Sequence, residues 1–445
     1  MKVAFVSLGC DKNLSDSEHM LYRLQKAGME LVADESDADV VIVNTCCFIE
    51  SALQESIDTI LDLAKYKTEG HLKGLLVAGC MSERYAEEIQ KDLPEVDGII
   101  GTNSYDSIVE AVTKLGKEKN LSIIKPLTGL PDESEGRINT TGGVFDYLKI
   151  AEGCDKHCTY CIIPSLRGPY RSVPMEQLLK EARDMADRGI RELILVAQET
   201  TLYGTDLYGE KKLPELLDRL NEIPGLQWIR LLYCYPESID DALIEAMARN
   251  SKVCHYIDMP IQHASDWILG RMGRKTSQKD IKATIEKLRA AMPDIAIRTS
   301  LISGFPGETE SMHKEMIDFL KEMDLDRVGC FPYSREKGTP SYSYPNQHEE
   351  KVKNRWRDEI MSTQQGLVFR KNRALIGKTF PVMVEGFMSD QGVYVGRTYR
   401  DAPSVDGLVF FPCERELISG DILPVRITAV NDYDLVGELN NEFTE

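Results

Sequence analysis

The most constraining feature of the sequence is a repeated alternation of short β-branched runs with longer amphipathic segments. In the first 115 residues the runs are KVAFVSL, DVVIVNT, GLLVAGC and GIIGT, and each is followed by a polar stretch of helical character. Strands that alternate with helices in this way are typical of a parallel sheet covered by helices. We therefore predict an N-terminal parallel α/β sheet domain over residues 1–115.

A second alternating series predicts a larger α/β domain over residues 144–375. Its runs are FDYLKIAEG, RELILVAQ, WIRLLY, YIDMPIQ, AIRTSLISGF and DRVGCFPYS, separated by helical segments such as 175–189 and 277–292. Six strands in βα register favour a TIM-like barrel, complete or incomplete, followed by a charged bridging helix from His348 to about Leu375. Residues 116–143 are polar and rich in proline and glycine, so we predict a linker there.

The tail from residue 376 to 445 has a different pattern. Five short runs, FPVMVEGF, GVYVGRTY, GLVFFP, ILPVRITAV and DLVGEL, are separated by glycines and polar residues. This spacing predicts a small β-barrel of OB-like type.

The composition of the chain indicates which cellular compartment and which kind of partner to expect. The 445-residue chain has no apolar run near the roughly 18 residues of a membrane span, and its N-terminus lacks the pattern of a signal peptide. We expect no membrane association and a cytoplasmic location, where eleven cysteines favour metal ligation over disulfides. The net charge of −19 argues against loose binding to phosphate backbones and favours a basic partner.

The strongest chemical signal is the motif CDKHCTYC, in which Cys154, Cys158 and Cys161 follow the first strand of the second series. Three thiolates on one tight loop can hold three corners of a 4Fe–4S cluster and leave one iron without a protein ligand. That iron can bind S-adenosylmethionine (SAM) and position it for reductive cleavage to a 5'-deoxyadenosyl radical. The alternative is a structural zinc site with His157 as the fourth ligand.

A second group of cysteines is dispersed along the sequence. Cys10, Cys46 and Cys80 each follow a predicted parallel strand of the N-terminal domain. The carboxyl ends of such strands share one edge of the sheet, so the three thiols can form a second three-thiolate cluster site. The alternative is three buried cysteines that act as small hydrophobic residues. Cys47 adds an ambiguity, because neighbouring residues of an extended chain point in opposite directions and only one of Cys46 and Cys47 is expected to ligate.

The chain resembles the radical-SAM methylthiotransferase family, and most closely its RimO branch. The resemblance runs over essentially the whole chain and rests on the segments SLGCDKNLSDSE, NTCCFIESALQESID, GCMSERY, EGCDKHCTYCIIPSLRGPYRS and NDYDLVGEL. Asp11 and Cys47 depart from the branch pattern, which has proline and glycine there. The resemblance implies that Cys10, Cys46 and Cys80 bind an auxiliary 4Fe–4S cluster, that Cys154, Cys158 and Cys161 bind the SAM-binding cluster, and that the tail is a substrate-docking TRAM domain.

Other candidate residues lie at the ends of barrel strands. Gln198 and Glu199 are placed to contact SAM, although an ordinary polar loop is an equal alternative, and Arg298 and Ser300 resemble the SAM-contacting segment of the family. His263, after Gln262, suits a proton carrier or a loop histidine. The remaining cysteines are expected to be structural, and these are Cys234, Cys254, Cys330 and Cys413.

The function that the resemblance implies is transfer of a methylthio group to the β-carbon of an aspartate in ribosomal protein uS12. One SAM would donate the methyl group and a second would provide the radical, with electrons from a flavodoxin-like donor. The alternatives are a MiaB-like tRNA adenosine methylthiotransferase and a non-catalytic cluster protein. The tail, with five basic against twelve acidic residues, favours a basic ribosomal protein and predicts no stable tRNA binding.

Overall fold

The computed structural model describes residues 1–118, 120–133 and 135–440. The chain forms an N-terminal parallel sheet with helices, a central parallel sheet with helices and a C-terminal closed β-barrel. This confirms the three-part architecture predicted from the alternating runs. Within the same residues, no helix combines the length and the apolarity that a bilayer span requires.

The N-terminal sheet is built from six strands: β1 (Lys2–Ser7), β2 (Glu30–Leu31), β3 (Val40–Thr45), β4 (Gly74–Gly79), β5 (Gly98–Ile100) and β6 (Leu121–Ile123). All pair in parallel, in the order β2-β1-β3-β4-β5-β6. The helices are α1 (Asp11–Lys26), α2 (Glu50–Glu69), α3 (Cys80–Arg84), α4 (Ala86–Asp92) and α5 (Ile108–Lys114). Every residue of β3 and β4 is buried, as expected for central strands covered on both faces.

The segment predicted as a linker, residues 116–143, is more ordered than its sequence indicates. Strand β6 lies within it and pairs with β5, and the buried Arg137 forms ion pairs with Glu18 (3.1 Å) and Glu181 (3.3 Å). The prediction of an irregular linker is therefore wrong for β6. Three residues are too short a pattern to distinguish an edge strand from a loop.

The central sheet contains the six strands predicted for the second series. Its strands, with the small β8–β9 pair beside it, are β7 (Phe145–Lys149), β8 (Ala151–Glu152), β9 (Arg171–Ser172), β10 (Glu192–Val196), β11 (Trp228–Leu231), β12 (Val253–Asp258), β13 (Ala296–Ser303) and β14 (Arg327–Pro332). The parallel order is β7-β10-β11-β12-β13-β14, with β7 and β14 as the two edges. The TIM-like barrel is thus incomplete.

Helices follow most of these strands and bury the central sheet. They are α6 (Ile163–Arg167), α7 (Met175–Asp187), α8 (Leu213–Asn221), α9 (Asp241–Arg249), α10 (Asp266–Arg271), α11 (Gln278–Ala291), α12 (Glu310–Met323) and α13 (Glu350–Arg373). Helix α11 begins with a reciprocal capping box between Ser277 and Asp280, which satisfies backbone N–H groups that a helix start leaves free. Helix α13 corresponds to the predicted bridging helix.

The C-terminal domain is a closed five-stranded barrel. Its strands are β15 (Thr379–Met388), β16 (Val393–Thr398), β17 (Val409–Phe411), β18 (Ile422–Asn431) and β19 (Asp434–Leu439), and they close in the order β15-β16-β17-β19-β18. The barrel packs on the central sheet, where Arg397 pairs with Glu192 at the amino end of β10 and Met383 and Ala402 join a hydrophobic cluster with Ile194 and Tyr256. The CxxxCxxC loop lies at the carboxyl ends of the strands.

Candidate active site

The CxxxCxxC loop connects β8 to α6 at the carboxyl end of the central sheet. Gly153 enters it with a φ of +82°, and a Cβ there would lie 2.0 Å from the backbone oxygen of Pro169, so only glycine fits this close approach. The loop is tied down because the Cys154 N–H donates to Gly168 O (3.1 Å) and the Thr159 N–H donates to Met272 O (2.9 Å). The backbone of the loop is therefore fixed, and its three cysteines are held on one turn.

The thiols of this loop lie close to one another. Cys154 and Cys158 are buried and Cys161 is half-buried, and all three are free thiols. Burial, opposed by a backbone hydrogen bond from Lys156 and assisted by the neighbouring Cys158, raises the pKa of Cys154 to about 11. Burial also raises the pKa of Cys161, and Cys158 and Cys154 add to the increase. Binding of a metal cation would favour the thiolate form of these buried cysteines.

The zinc alternative requires His157 as the fourth ligand. His157 is exposed and has a left-handed φ of +49°. Among residues 1–118, 120–133 and 135–440, no three His, Cys, Asp or Glu side chains are grouped to hold a single metal ion. A 4Fe–4S cluster takes one thiol at each of several irons, so its ligands need not meet at one point.

Gln198 and Glu199 lie beside this loop, after the carboxyl end of β10. Glu199 is buried, and its Oε2 atom lies 3.4 Å from Nζ of Lys156, a residue of the loop itself. Burial raises the pKa of Glu199, and Lys156 opposes that shift. Gln198 donates to Glu152 Oε1 (2.8 Å), while its own Oε1 is buried and has no hydrogen-bond donor in the described chain. The site thus contains buried side-chain oxygen atoms that can accept a further hydrogen bond.

The other predicted SAM contacts occupy β13. Ser300 is half-buried, and its backbone oxygen accepts a hydrogen bond from Gln262 (2.9 Å). Arg298 instead forms an ion pair with Asp258 (2.6 Å) and lines a cavity that also contains Cys10. Arg298 therefore faces the dispersed cysteine group.

His263 is held inside the protein. Its Nδ1 accepts from the Ser265 N–H (3.0 Å), and its Nε2 lies 3.3 Å from Glu308 Oε1. Glu308 also accepts from the Gly304 N–H (2.6 Å) through Oε2. Neither His263 Nε2 nor Glu308 Oε1 has a hydrogen-bond partner among the described residues, so both alternatives for this histidine stay open.

The dispersed cysteines lie at the carboxyl ends of β1, β3 and β4, which are neighbours in the sheet. Cys10 is exposed at the start of α1, Cys46 directly follows β3, and Cys80 opens α3. A Cβ built on Gly9 would lie 3.2 Å from the sulfur of Cys46, so the turn before Cys10 touches that thiol. The predicted convergence of the three residues at one edge is therefore present.

Asn13 holds the ends of these strands together. Its Nδ2 donates to Leu8 O (3.1 Å) and to Thr45 O (2.9 Å), which are the residues that follow β1 and end β3. Its Oδ1 lies 4.0 Å from the sulfur of Cys80. One buried amide thus ties together the backbones that carry Cys10 and Cys46 and also contacts the sulfur of Cys80.

Cys46 and Cys47 have different surroundings. Burial raises the pKa of Cys46; Cys10 raises it further and Arg167 lowers it, so this thiol lies on the side of the dispersed group. Burial raises the pKa of Cys47 to about 12, and Arg84 is its main charged neighbour. Cys47 also belongs to the hydrophobic cluster that contains Leu166. The two thiols therefore have different charged neighbours, Arg167 for Cys46 and Arg84 for Cys47, although both lie near Cys80.

Arg167 lies between the two cysteine groups. Its Nη2 is 3.7 Å from the sulfur of Cys80, and its Nη1 is 3.2 Å from Glu152 Oε2 and 2.6 Å from Asp16 Oδ2. Burial disfavours the Glu152 carboxylate, but Arg167 and Lys149 outweigh this effect and hold its pKa at about 2. Sequence reasoning missed this network because Asp16 and Arg167 belong to different domains.

A cavity of about 240 Å³ connects the dispersed group to the interior of the central sheet. It is lined by the Cys10 turn, by Asp258 and Arg298, and by Ala402 and Val405 of the C-terminal barrel. Cys10 therefore faces a space to which all three parts of the chain contribute. The cysteines predicted to be structural lie within hydrophobic clusters, and these are Cys234, Cys254, Cys330 and Cys413.

Three family models match separate parts of the chain. Residues 2–101 match the uncharacterized protein family UPF0004, residues 148–320 match the radical SAM superfamily, and residues 376–439 match the TRAM domain. Among solved structures, the radical SAM methyltransferase TsrM from Kitasatospora setae has a TM-score of 0.56 at 13% identity, covering 76% of each chain. At this identity the likeness concerns the fold.

Full-length relatives are much closer in sequence. The ribosomal protein uS12 methylthiotransferase RimO of Lachnoclostridium phytofermentans is 52% identical over 438 residues, covering 98% of this chain and 99% of its own. The protein of the same name from Acetivibrio thermocellus is 47% identical over 448 residues, covering 99% of each chain.

Proposed function

Because this chain belongs to the RimO family of sulfur-inserting radical-SAM methylthiotransferases, we propose that it adds a methylthio group to the β-carbon of an aspartate in ribosomal protein uS12. The observation that carries the proposal is the pair of three-cysteine groups, each at the carboxyl ends of the strands of one parallel sheet, with the buried Arg167 in contact with Cys80 of one group and with Glu152, which precedes the other. Such an enzyme needs one site that generates a radical and another that holds sulfur. The substrate is a ribosomal protein, so we also expect a cytoplasmic location.

Cys154, Cys158 and Cys161 would hold the SAM-binding 4Fe–4S cluster. When bound there, a cluster with one iron free of protein ligands supplies the electron that cleaves SAM to a 5'-deoxyadenosyl radical. The buried oxygens of Gln198 and Glu199 support SAM binding at this place, because the amino group and the ribose hydroxyls of SAM can donate to them. Ser300 is a further candidate contact. Lys156 would orient Glu199 through the ion pair between them.

Cys10, Cys46 and Cys80 would hold an auxiliary 4Fe–4S cluster, which would supply the sulfur attachment site. Asn13 would fix the position of the thiols, and the cavity at Cys10 would admit the substrate side chain. Cys46 is the better candidate than Cys47, because its thiol lies with Cys10 and Arg167. Removing a hydrogen atom from an unactivated β-carbon exceeds what acid–base groups can do, which explains the need for a radical. We expect a flavodoxin-like donor, since the electrons must arrive singly.

The acidic C-terminal barrel supports a protein substrate. Several of its twelve acidic residues are used internally: Asp401 and Asp406 are buried against Arg327, and Asp421 accepts from the Ile418 N–H (2.9 Å). Glu414 and Glu416 remain exposed beside Ile418, which is 73% exposed. This acidic and partly apolar surface suits a basic ribosomal protein and repels tRNA. The tRNA alternative is not favoured, and we expect no stable tRNA binding.

The proposal is tested by separating the two cysteine groups. Cys154→Ala, Cys158→Ala and Cys161→Ala together should remove about half of the roughly 8 irons of the reconstituted enzyme and all 5'-deoxyadenosine formation. Cys10→Ala, Cys46→Ala and Cys80→Ala together should also remove about half of the iron, spare SAM cleavage and abolish methylthio transfer. 5'-Deoxyadenosine from the first variant, or methylthio transfer by the second, would contradict the assignment.

A further inference from the structure

The buried guanidinium of Arg167 is the charged group that touches a thiol of the dispersed cysteine group. Its Nη2 lies 3.7 Å from the sulfur of Cys80, and Arg167 as a residue is only 2% exposed. An arginine N–H that points at a sulfur forms a charge-assisted hydrogen bond when the sulfur carries negative charge. This contact lies across the interface between the N-terminal and central domains, since Arg167 ends α6 and Cys80 begins α3.

Arg167 is held so that it cannot turn away from Cys80. Asp16 accepts from Nη1 at 2.6 Å, Glu152 accepts from the same atom at 3.2 Å, and Asn13 accepts from Nη2. Lys149 binds the same two carboxylates, at 2.5 Å from Asp16 and 3.3 Å from Glu152. The guanidinium is therefore fixed from three sides, and its remaining direction is toward the cysteine sulfur.

We propose that Arg167 is a positioning residue that raises the reduction potential of the auxiliary cluster by donating a hydrogen bond to Cys80. The inference rests on the proposed function, because it takes Cys80 as a cluster ligand. Reduction adds one negative charge to a cluster, and a nearby positive charge and a hydrogen bond to sulfur both stabilise that charge. Without Arg167, Asp16 and Glu152 would lose a partner while remaining close to the cluster, which disfavours reduction further.

Arg167 also links the two sites. Glu152, its carboxylate partner, stands two residues before Cys154 at the start of the CxxxCxxC loop. Arg167 therefore contacts the sulfur of Cys80 in the dispersed group and also Glu152, which precedes the CxxxCxxC loop.

The test uses the full-length Cys154→Ala, Cys158→Ala, Cys161→Ala variant, which isolates the auxiliary cluster. Its midpoint potential is measured by redox titration with electron paramagnetic resonance, alone and with Arg167→Gln or Arg167→Lys added. Arg171→Gln is the matched control, because Arg171 is also buried but donates to the backbone oxygens of Pro169 and Arg167.

Arg167→Gln is expected to lower the midpoint potential so that reduction becomes at least about tenfold less favourable, a shift of about 59 mV. Arg167→Lys should give a smaller negative shift, and Arg171→Gln little change. An unchanged potential in Arg167→Gln, or equal shifts in Arg167→Gln and Arg171→Gln, would overturn the inference. Loss of the cluster from both Arg167 variants but not from Arg171→Gln would also overturn it, because Arg167 would then be structural. A parent variant that binds no cluster would instead refute the ligand assignment in the proposed function.

Discussion

Arg397 of the C-terminal barrel donates to Glu192 of the central sheet across 2.7 Å, and neither side chain is exposed to solvent. Glu192 also accepts from Arg230 at 2.6 Å, and Arg397 has a second carboxylate partner in Glu385 at 2.5 Å, so two carboxylates balance the two guanidinium groups. This arrangement fixes the C-terminal barrel at the amino end of β10. The CxxxCxxC loop lies at the opposite, carboxyl end of the central sheet.

The first prediction concerns this buried triad. Glu192→Gln should lower the unfolding free energy by about 3–5 kcal/mol, because it removes the carboxylate that pairs with the buried Arg230 and leaves the buried Arg397 with Glu385 alone. Urea denaturation followed by fluorescence is the measurement. Glu438→Gln is the control: its partner Arg426 is half-exposed, and such a surface pair contributes about 1 kcal/mol or less. Equal losses in the two variants would contradict the role given to the triad.

The second prediction separates the adjacent thiols of Cys46 and Cys47. Cys46→Ala should lose about half of the iron and all methylthio transfer, because its thiol lies with Cys10 and Arg167. Cys47→Ala should retain both, since its thiol packs in a hydrophobic cluster beside Arg84. Iron analysis and product analysis of the two reconstituted variants decide the question. Full activity in Cys46→Ala with none in Cys47→Ala would transfer the ligand role.

The third prediction concerns pH and the buried His19. Burial, opposed by Glu133 and assisted by Arg137 and Lys149, lowers the pKa of His19 to about 4. The unfolded chain, in which the histidine pKa is near 6.5, therefore binds more protons, so stability is lost as pH falls from about 6.5 toward 4. Between pH 7.5 and 6 the wild type should lose about 1 kcal/mol of unfolding free energy through His19.

His19→Asn should therefore lose less stability than the wild type over that pH interval, as measured by urea denaturation midpoints at each pH. His71→Asn, which removes an exposed imidazole, should keep the pH dependence of the wild type. If wild type and His19→Asn respond equally to acidification, the neutral buried state assigned to His19 is wrong.

The fourth prediction concerns the exposed acidic surface of the C-terminal barrel. Glu414→Lys with Glu416→Lys should weaken uS12 binding about tenfold at low salt, with a smaller effect as salt screens the charges. Asp421 is left intact because it supports the backbone of the same loop. Glu87→Lys with Glu88→Lys, an equal charge change on α4, is the control. Binding by isothermal calorimetry that is unchanged in the first variant would refute docking through this surface.

The convergence of the cysteines could be predicted from the sequence because it follows from backbone rules. Each of Cys10, Cys46 and Cys80 follows a strand, and parallel strands end at a common edge. Cys154, Cys158 and Cys161 need only a tight loop. The six strands of the central sheet and the five strands of the closed barrel were predictable because each contains a contiguous run of mainly apolar residues.

The contacts between domains could not be predicted in this way. Asp16 and Arg167 meet only because the N-terminal and central domains pack together. No local sequence pattern identifies either residue as the partner of the other. The charge count of the tail also needed the structure, because Asp401 and Asp406 serve the packing of the barrel on the central sheet. Arg298 was predicted from resemblance to contact SAM, and the structure places it beside the Cys10 cavity. Its side-chain direction depends on the ion pair with Asp258.

The most direct test of the central claim is mass spectrometry of the substrate after reaction. The reconstituted enzyme is incubated under reducing anaerobic conditions with SAM and either uS12 or tRNA, and each substrate is then analysed for an added methylthio group. The account predicts one methylthio group on an aspartate of uS12, absent when that aspartate is replaced by alanine, and none on tRNA. A methylthio group on tRNA adenosine, with uS12 left unmodified, would contradict it.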